Sequence, residues 1–140
     1  MIIRGTTPYH SFVLPLLKEE IAELWFTYMQ NNKVILQKTQ ADAELTNIVD
    51  LLENTSVEEL DEEELNSCQA VLHLTQEDTL KFTFWPAAEK NVAVIQVRLL
   101  TTNGEAYASD PVTERIMGVL QDGVIGGEND EDTTENPTDG

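Results

Sequence analysis

The stretch from Val92 to Asp110 constrains this chain more than any other, because it reads as two strands joined at Asn103-Gly104. In its first arm Ala93, Ile95, Val97 and Leu99 alternate with Val94, Gln96, Arg98 and Leu100, the period of two expected when one face is buried and the other is wetter. Asn-Gly supplies the positive backbone φ that a two-residue turn needs. These features predict a mostly β domain and, taken alone, do not say what it does.

Other stretches repeat the pattern. Tyr9 to Leu14 places His10, Phe12 and Leu14 on one face, after a short lead-in at Ile2-Ile3, and Pro8 suits an edge strand or a first strand position. Two periods compete from Leu16 to Gln37. Leu17, Ile21, Leu24 and Tyr28 fall at helical spacing, whereas a strand puts Leu24, Phe26 and Tyr28 on one side and Trp25, Thr27 and Met29 on the other. The aromatic and Thr content, and an Asn31-Asn32 turn leading into β-branched Val34-Ile35, favour a hairpin. Gln69 to Thr75 alternates again, with Ala70, Leu72 and Leu74 inward. Thr75 to Asp78 offers a helix start, with Leu80 and Phe84 a turn apart before Pro86 closes the segment, and Val112 to Leu120 reads as a last strand.

The net charge of −18 is unevenly spread. From Asp42 to Glu64 there are ten acidic residues and no Lys or Arg, and from Gln121 to Gly140 seven more. Removing these 17 from the 26 acids leaves nine against eight basic residues, so the remaining body is close to neutral. Residues 40–68 read as an acidic excursion between two strands, with a capping box at Ser56 to Glu59 opening a short helix from Val57 to about Leu65. The end from Gly126 is dense in Asp, Glu, Gly and Thr and has no apolar residue, so nothing there offsets the entropy of ordering it. The expected organisation is an all-β sandwich with one or two short helices over residues 1–125, including the excursion at 40–68, and a disordered acidic tail at 126–140.

Charge of this sign argues against nucleic-acid binding, which needs clustered Lys and Arg. The longest apolar run falls far short of the roughly 20 residues that span a bilayer. The single Cys68 excludes an intramolecular disulfide, and the start MIIRGTTPYH lacks the pattern of a secretory signal, so folding in a reducing cytoplasm is expected. His10, His73 and Cys68 show no metal-ligand spacing, the serines stand in no nucleophile elbow, and the glycines near 123–127 form no phosphate-cradling loop. The runs Asp61 to Glu64 and Asp130 to Asp132 lack the glycine and distal Glu of a calcium loop and read as solvated acidic faces. No enzyme, cofactor or metal is therefore expected. Trp25 and Trp85 either pack in the core or anchor a partner, since Trp is enriched at the energetic centres of interfaces.

Several segments together resemble a group of small proteins encoded in phages and prophages of Gram-positive bacteria, near their tail or virion structural genes. They are Ile3-Arg4-Gly5-Thr6-Thr7-Pro8, Gln30-Asn31-Asn32-Lys33-Val34, Leu74-Thr75-Gln76-Glu77-Asp78-Thr79-Leu80, and Ile95-Gln96-Val97-Arg98 with Asn103-Gly104 and Ala108-Ser109. The layout is also similar to the immunoglobulin-like N-terminal module of phage baseplate upper proteins. The resemblance implies an immunoglobulin-like β-sandwich in the virion, made in the bacterial host cytoplasm. Its partners would be other virion proteins in multiple copies, with no nucleic acid, membrane or small-molecule substrate. Docking would use strand addition at a sheet edge or an apolar patch of about 800 Å² per side. The competing expectation is an acidic DNA mimic that occupies a host DNA-binding protein, which requires carboxylates held at phosphate-like spacing on a rigid surface.

Overall fold

The computed structural model of the chain describes residues 1–52, 59–87 and 91–126. Among these, nine strands make two sheets: β1 (Ile2–Ile3), β2 (Tyr9–Leu14), β3 (Ile21–Gln30), β4 (Lys33–Thr39), β5 (Ala43–Asn47), β6 (Cys68–His73), β7 (Val92–Thr101), β8 (Ala106–Ala108) and β9 (Val112–Met117). The larger sheet runs β1-β9-β7-β3-β4, with β8 beside the second half of β7, and the smaller runs β2-β6-β5. Every pairing is antiparallel except that of β1 with β9, where Ile2 faces Ile116 and Ile3 faces Met117. Three short helices, α1 (Ile48–Leu51), α2 (Glu62–Leu65) and α3 (Gln76–Leu80), fill connections.

The competition of periods in residues 16–37 resolves as a hairpin. Leu24, Phe26 and Tyr28 are completely buried on one face of β3, and Trp25 points the other way. Asn31 and Asn32 both adopt left-handed backbone, at φ 54° and 65°, the combination that a type I′ turn requires and that Asn tolerates. The hairpin of β7 and β8 departs from the two-residue turn. Thr101 pairs with Glu105, the Gly104 amide bonds the Thr101 carbonyl at 2.9 Å, and Gly104 alone has positive φ, 88°. The loop is therefore three residues, Thr102 to Gly104, and the glycine rather than the asparagine takes the left-handed conformation.

The acidic excursion needs the larger correction. Its first part is β5, an edge strand paired with β6 from Ala43↔Leu72 to Asn47↔Cys68. Asn47 holds the entry to β3 in place, accepting from the Lys18 amide at 2.8 Å and donating to Glu19. The Ser56 capping box lies outside the described residues. The cap seen before α2 is Asp61, whose carboxylate accepts from the Glu64 amide while Glu64 returns the bond to the Asp61 amide. Thr75 and Asp78 cap α3 in the same reciprocal way, and that helix, of one to two turns as its capped start predicts, ends at Leu80. The tail expected at 126–140 also lies outside the described residues from 127 onward.

The two sheets face each other across one core. Phe12 of β2 meets Phe26 of β3 with ring centroids 5.2 Å apart, and Tyr28 sits edge-on to Phe82 at 6.1 Å. Ile2, Leu24, Leu72, Leu74, Ala93 and Ile116 complete its centre. Two buried polar side chains are tied off: Gln30 makes a two-point bridge to the Thr83 backbone, both bonds 2.8 Å, and Asp78 pairs with Lys38 at 3.0 Å. Arg4 donates to the Phe82 and Leu80 carbonyls and pairs with Asp122, so the N-terminal crossing, the end of α3 and the C-terminal segment are stapled together. Gln76 clasps the Ile125 backbone at both its amide and its carbonyl.

Candidate interaction surface

Where β1 stops decides what is left open. This two-residue strand covers only the edge of β9. Beyond it, toward β8, the space between the sheets is a cleft of about 610 Å³. Leu14, Val97 and Leu99 form its buried floor, with the exposed side chains of Val13 and Tyr107 on its flanks. Its charged lining residues are Glu20 and Glu105. Glu105 accepts from the Tyr107 hydroxyl at 2.9 Å, which pushes that phenol's pKa upward, and Glu20 accepts from the Leu17 amide.

Hydrogen-bond parity fixes which backbone groups lie along the strand edges that border the cleft. Antiparallel pairs alternate between bonded and non-bonded residues. The Leu74 amide donates to the Pro8 carbonyl at 3.0 Å, in register with His10↔Leu72, Phe12↔Ala70 and Leu14↔Cys68, so these even positions face β6. Tyr9, Ser11 and Val13 then turn their amides and carbonyls away from β6, along a free edge. The same reasoning applies to β8. Thr101 bonds Glu105 and Val97 bonds Ser109, so Ala106 and Ala108 direct their backbone groups away from β7. Among the described residues no strand pairs with either edge, and the cleft lies between the Val13 end of β2 and the edge of β8.

Ser109 explains why β8 and β9 are separate. Its hydroxyl, rather than its carbonyl, accepts from the Val97 amide at 3.0 Å, and the freed carbonyl accepts from Gln96 Nε2. This irregularity lets the chain break at Asp110-Pro111 without orphaning a β7 amide.

The two tryptophans are on the surface and apart. Trp25 is 37% exposed on the outer face of the larger sheet; its indole donates to Glu23 at 2.7 Å, and Arg98 lies over the ring at 5.6 Å. Trp85 is 59% exposed in the connection before β7, its backbone bonded at both ends to the Asn91 side chain. Trp25 pairs across from Arg98, seven positions along from Asn91. At the rise of a strand that is roughly 23 Å, so the two do not form one patch. Residue reasoning missed the cleft itself, because it arises from which edges β1 leaves uncovered.

The titratable groups of the core are arranged for packing. His10 Nδ1 meets the buried Tyr28 hydroxyl at 2.6 Å, and its Nε2 is buried without a partner. Burial lowers the His10 pKa, against an opposing effect of Glu114, and pushes the Tyr28 pKa far upward. His73 stacks on Tyr9 at 4.0 Å on the outer face of the smaller sheet. Cys68 is buried, which raises its thiol pKa and leaves it poorly nucleophilic. Among the described residues no group of three or more His, Cys, Asp or Glu could hold a metal ion, and no helix is long and apolar enough to cross a membrane.

No protein-family model matches the chain, and no curated protein matches it in sequence. Among solved structures it is similar to an uncharacterized protein from Listeria monocytogenes EGD-e, crystallised in complex with alpha-D-glucose, beta-D-glucose, magnesium and calcium. The match covers 81% of this chain at 15% identity and a TM-score of 0.41. The chain spans 8% of the length of that protein.

Proposed function

We propose that this chain is a non-enzymatic binding module, an adaptor of a phage virion placed in the tail, the baseplate or the head, that works by protein–protein contact. The observation that carries the binding part of this reading is the cleft between the free edges of β2 and β8. It offers unpaired backbone groups beside an apolar floor. The virion part rests on the resemblance of the segments at Ile3 to Pro8, Gln30 to Val34 and Leu74 to Leu80.

The finer fold reading is immunoglobulin-like. In support, β2, β6 and β5 occupy the places of strands B, E and D, and β4, β3, β7 and β9 those of C′, C, F and G. The inter-sheet disulfide of antibody domains has no counterpart, since Cys68 is the lone cysteine. Repetition of one module in a symmetric particle converts a modest contact into firm attachment. Mass spectrometry of purified particles from the encoding phage or prophage tests the assignment: the chain should be present in stoichiometric amounts, and its absence from intact particles overturns the virion reading.

A further inference from the structure

We infer that the cleft accepts an extended segment of another protein, with alternating apolar side chains and Lys or Arg at its ends, which adds as a strand to the free edge of β2. The inference rests on the binding-module reading and deepens it. Six residues of β2 present the backbone groups of Val13 at the cleft and of Ser11 and Tyr9 along the edge beyond it, enough for a ladder, whereas β8 offers only Ala106 and Ala108. An added strand directs every second side chain inward. Inward side chains at this position meet Leu14, Val97, Leu99 and the ring of Tyr107, so apolar residues fit there and charged ones do not.

The charge of the occupant follows from the rim. Glu20 and Glu105 are the charged lining residues, both acidic, in a chain of net charge −18. A basic-flanked segment is drawn to this rim and an acidic one repelled. This excludes the chain's own end, for residues 127–140 contain six acids and no apolar residue. It also disfavours a second copy, which brings the same acidic rim to its twin.

The test uses the full chain and two synthetic peptides with one core of alternating valine and threonine, flanked either by lysines or by glutamates. Binding is read by fluorescence anisotropy, and the site by amide hydrogen exchange. The lysine peptide should bind and slow exchange at Ser11 and Val13, and the glutamate peptide should bind at least about tenfold more weakly at low salt. Val13→Pro removes one edge donor without touching the β2–β6 ladder, because Val13 stands in a non-bonded pair with Gln69. It should keep the circular dichroism of the parent and weaken the lysine peptide about tenfold. Tyr107→Ala, which leaves β2 intact, should weaken it as well.

No binding by either peptide, equal binding by both, or protection at the edges of β4 or β5 overturns the inference. Protection of Ser11 and Val13 by the protein alone as its concentration rises also overturns it, in favour of a second copy. Because particle composition is measured separately, a chain present in virions that ignores both peptides loses the cleft assignment and keeps the virion role.

Discussion

The His10–Tyr28 contact makes a sharp test of how the two sheets are joined, because each residue comes from a different sheet. The phenol is completely buried and bonds the imidazole at 2.6 Å. With its pKa driven upward by burial, Tyr28 keeps its proton, and its hydroxyl and Nδ1 share one hydrogen bond while Nε2 has no partner. Tyr28→Phe strips the ring of its remaining partner, and His10→Phe strands the Tyr28 hydroxyl. Each single change should cost about 1–3 kcal/mol, the penalty of an unpaired buried polar group. At roughly 4 °C per kcal/mol for a domain of this length, that lowers Tm by about 4–12 °C. The double variant replaces both polar partners with similar apolar shapes and discards the unpaired nitrogen, so it should cost less than either single change. Acid adds a second readout. Since the native pKa of His10 lies below its ordinary 6.5, the folded state binds fewer protons than the unfolded chain, and the stabilisation present above pH 6.5 is lost as pH falls below it. Urea titrations at pH 8 and pH 5.5 on the four proteins measure all of this. Additive single costs, or a pH slope that persists unchanged in His10→Phe, would refute the coupling.

Three further outcomes follow from other contacts. Ser109→Ala deprives the Val97 amide of its acceptor and should lower stability by about 1–2 kcal/mol, with faster hydrogen exchange at Val97 as the local signature. Asn32→Gly should leave thermal stability unchanged or raise it, whereas Asn32→Val, forced into left-handed backbone, should cost about 1–2 kcal/mol by urea denaturation. Lys38→Met leaves the Asp78 carboxylate with only its Thr75 cap and should cost about 1–3 kcal/mol, discounted for partial exposure. Burial opposes ionisation of Asp78, but the Thr75 amide and Lys38 outweigh it and set its pKa below the ordinary 3.8, so this stabilisation is present near neutrality and lost below about pH 4. The cost of Lys38→Met should therefore shrink in acid, as stability measured at pH 3 and pH 7 will show.

Much of the strand framework was legible in the residues because the core faces alternate cleanly: Ala93 to Leu99, Leu24 to Tyr28, Ala70 to Leu74 and His10 to Leu14 all point as their period predicts. The Asn31-Asn32 turn was readable for the same local reason. β5 was not, since Ala-Glu-Leu-Thr-Asn is short, half polar and lies in an acidic stretch, and it is a strand only because β6 has an edge to offer. The third loop residue at Thr102 was hidden by a dipeptide that favours the shorter turn. Of the interaction surface, the sequence named Trp25 and Trp85 by type, but the cleft depends on the parity of hydrogen bonds and on the brevity of β1, neither of which leaves a trace in composition.

The pairing of the second residue with the 116th sets an order of events during synthesis. Ile2 and Ile116 are both core residues, so the nascent chain carries an apolar first strand with no seat until Ile116 has left the ribosome. Closing so long a loop makes this a late and slow step. Until it happens, the whole length of one flank lies bare, and what remains open in the finished protein is the portion that the first strand is too short to seal.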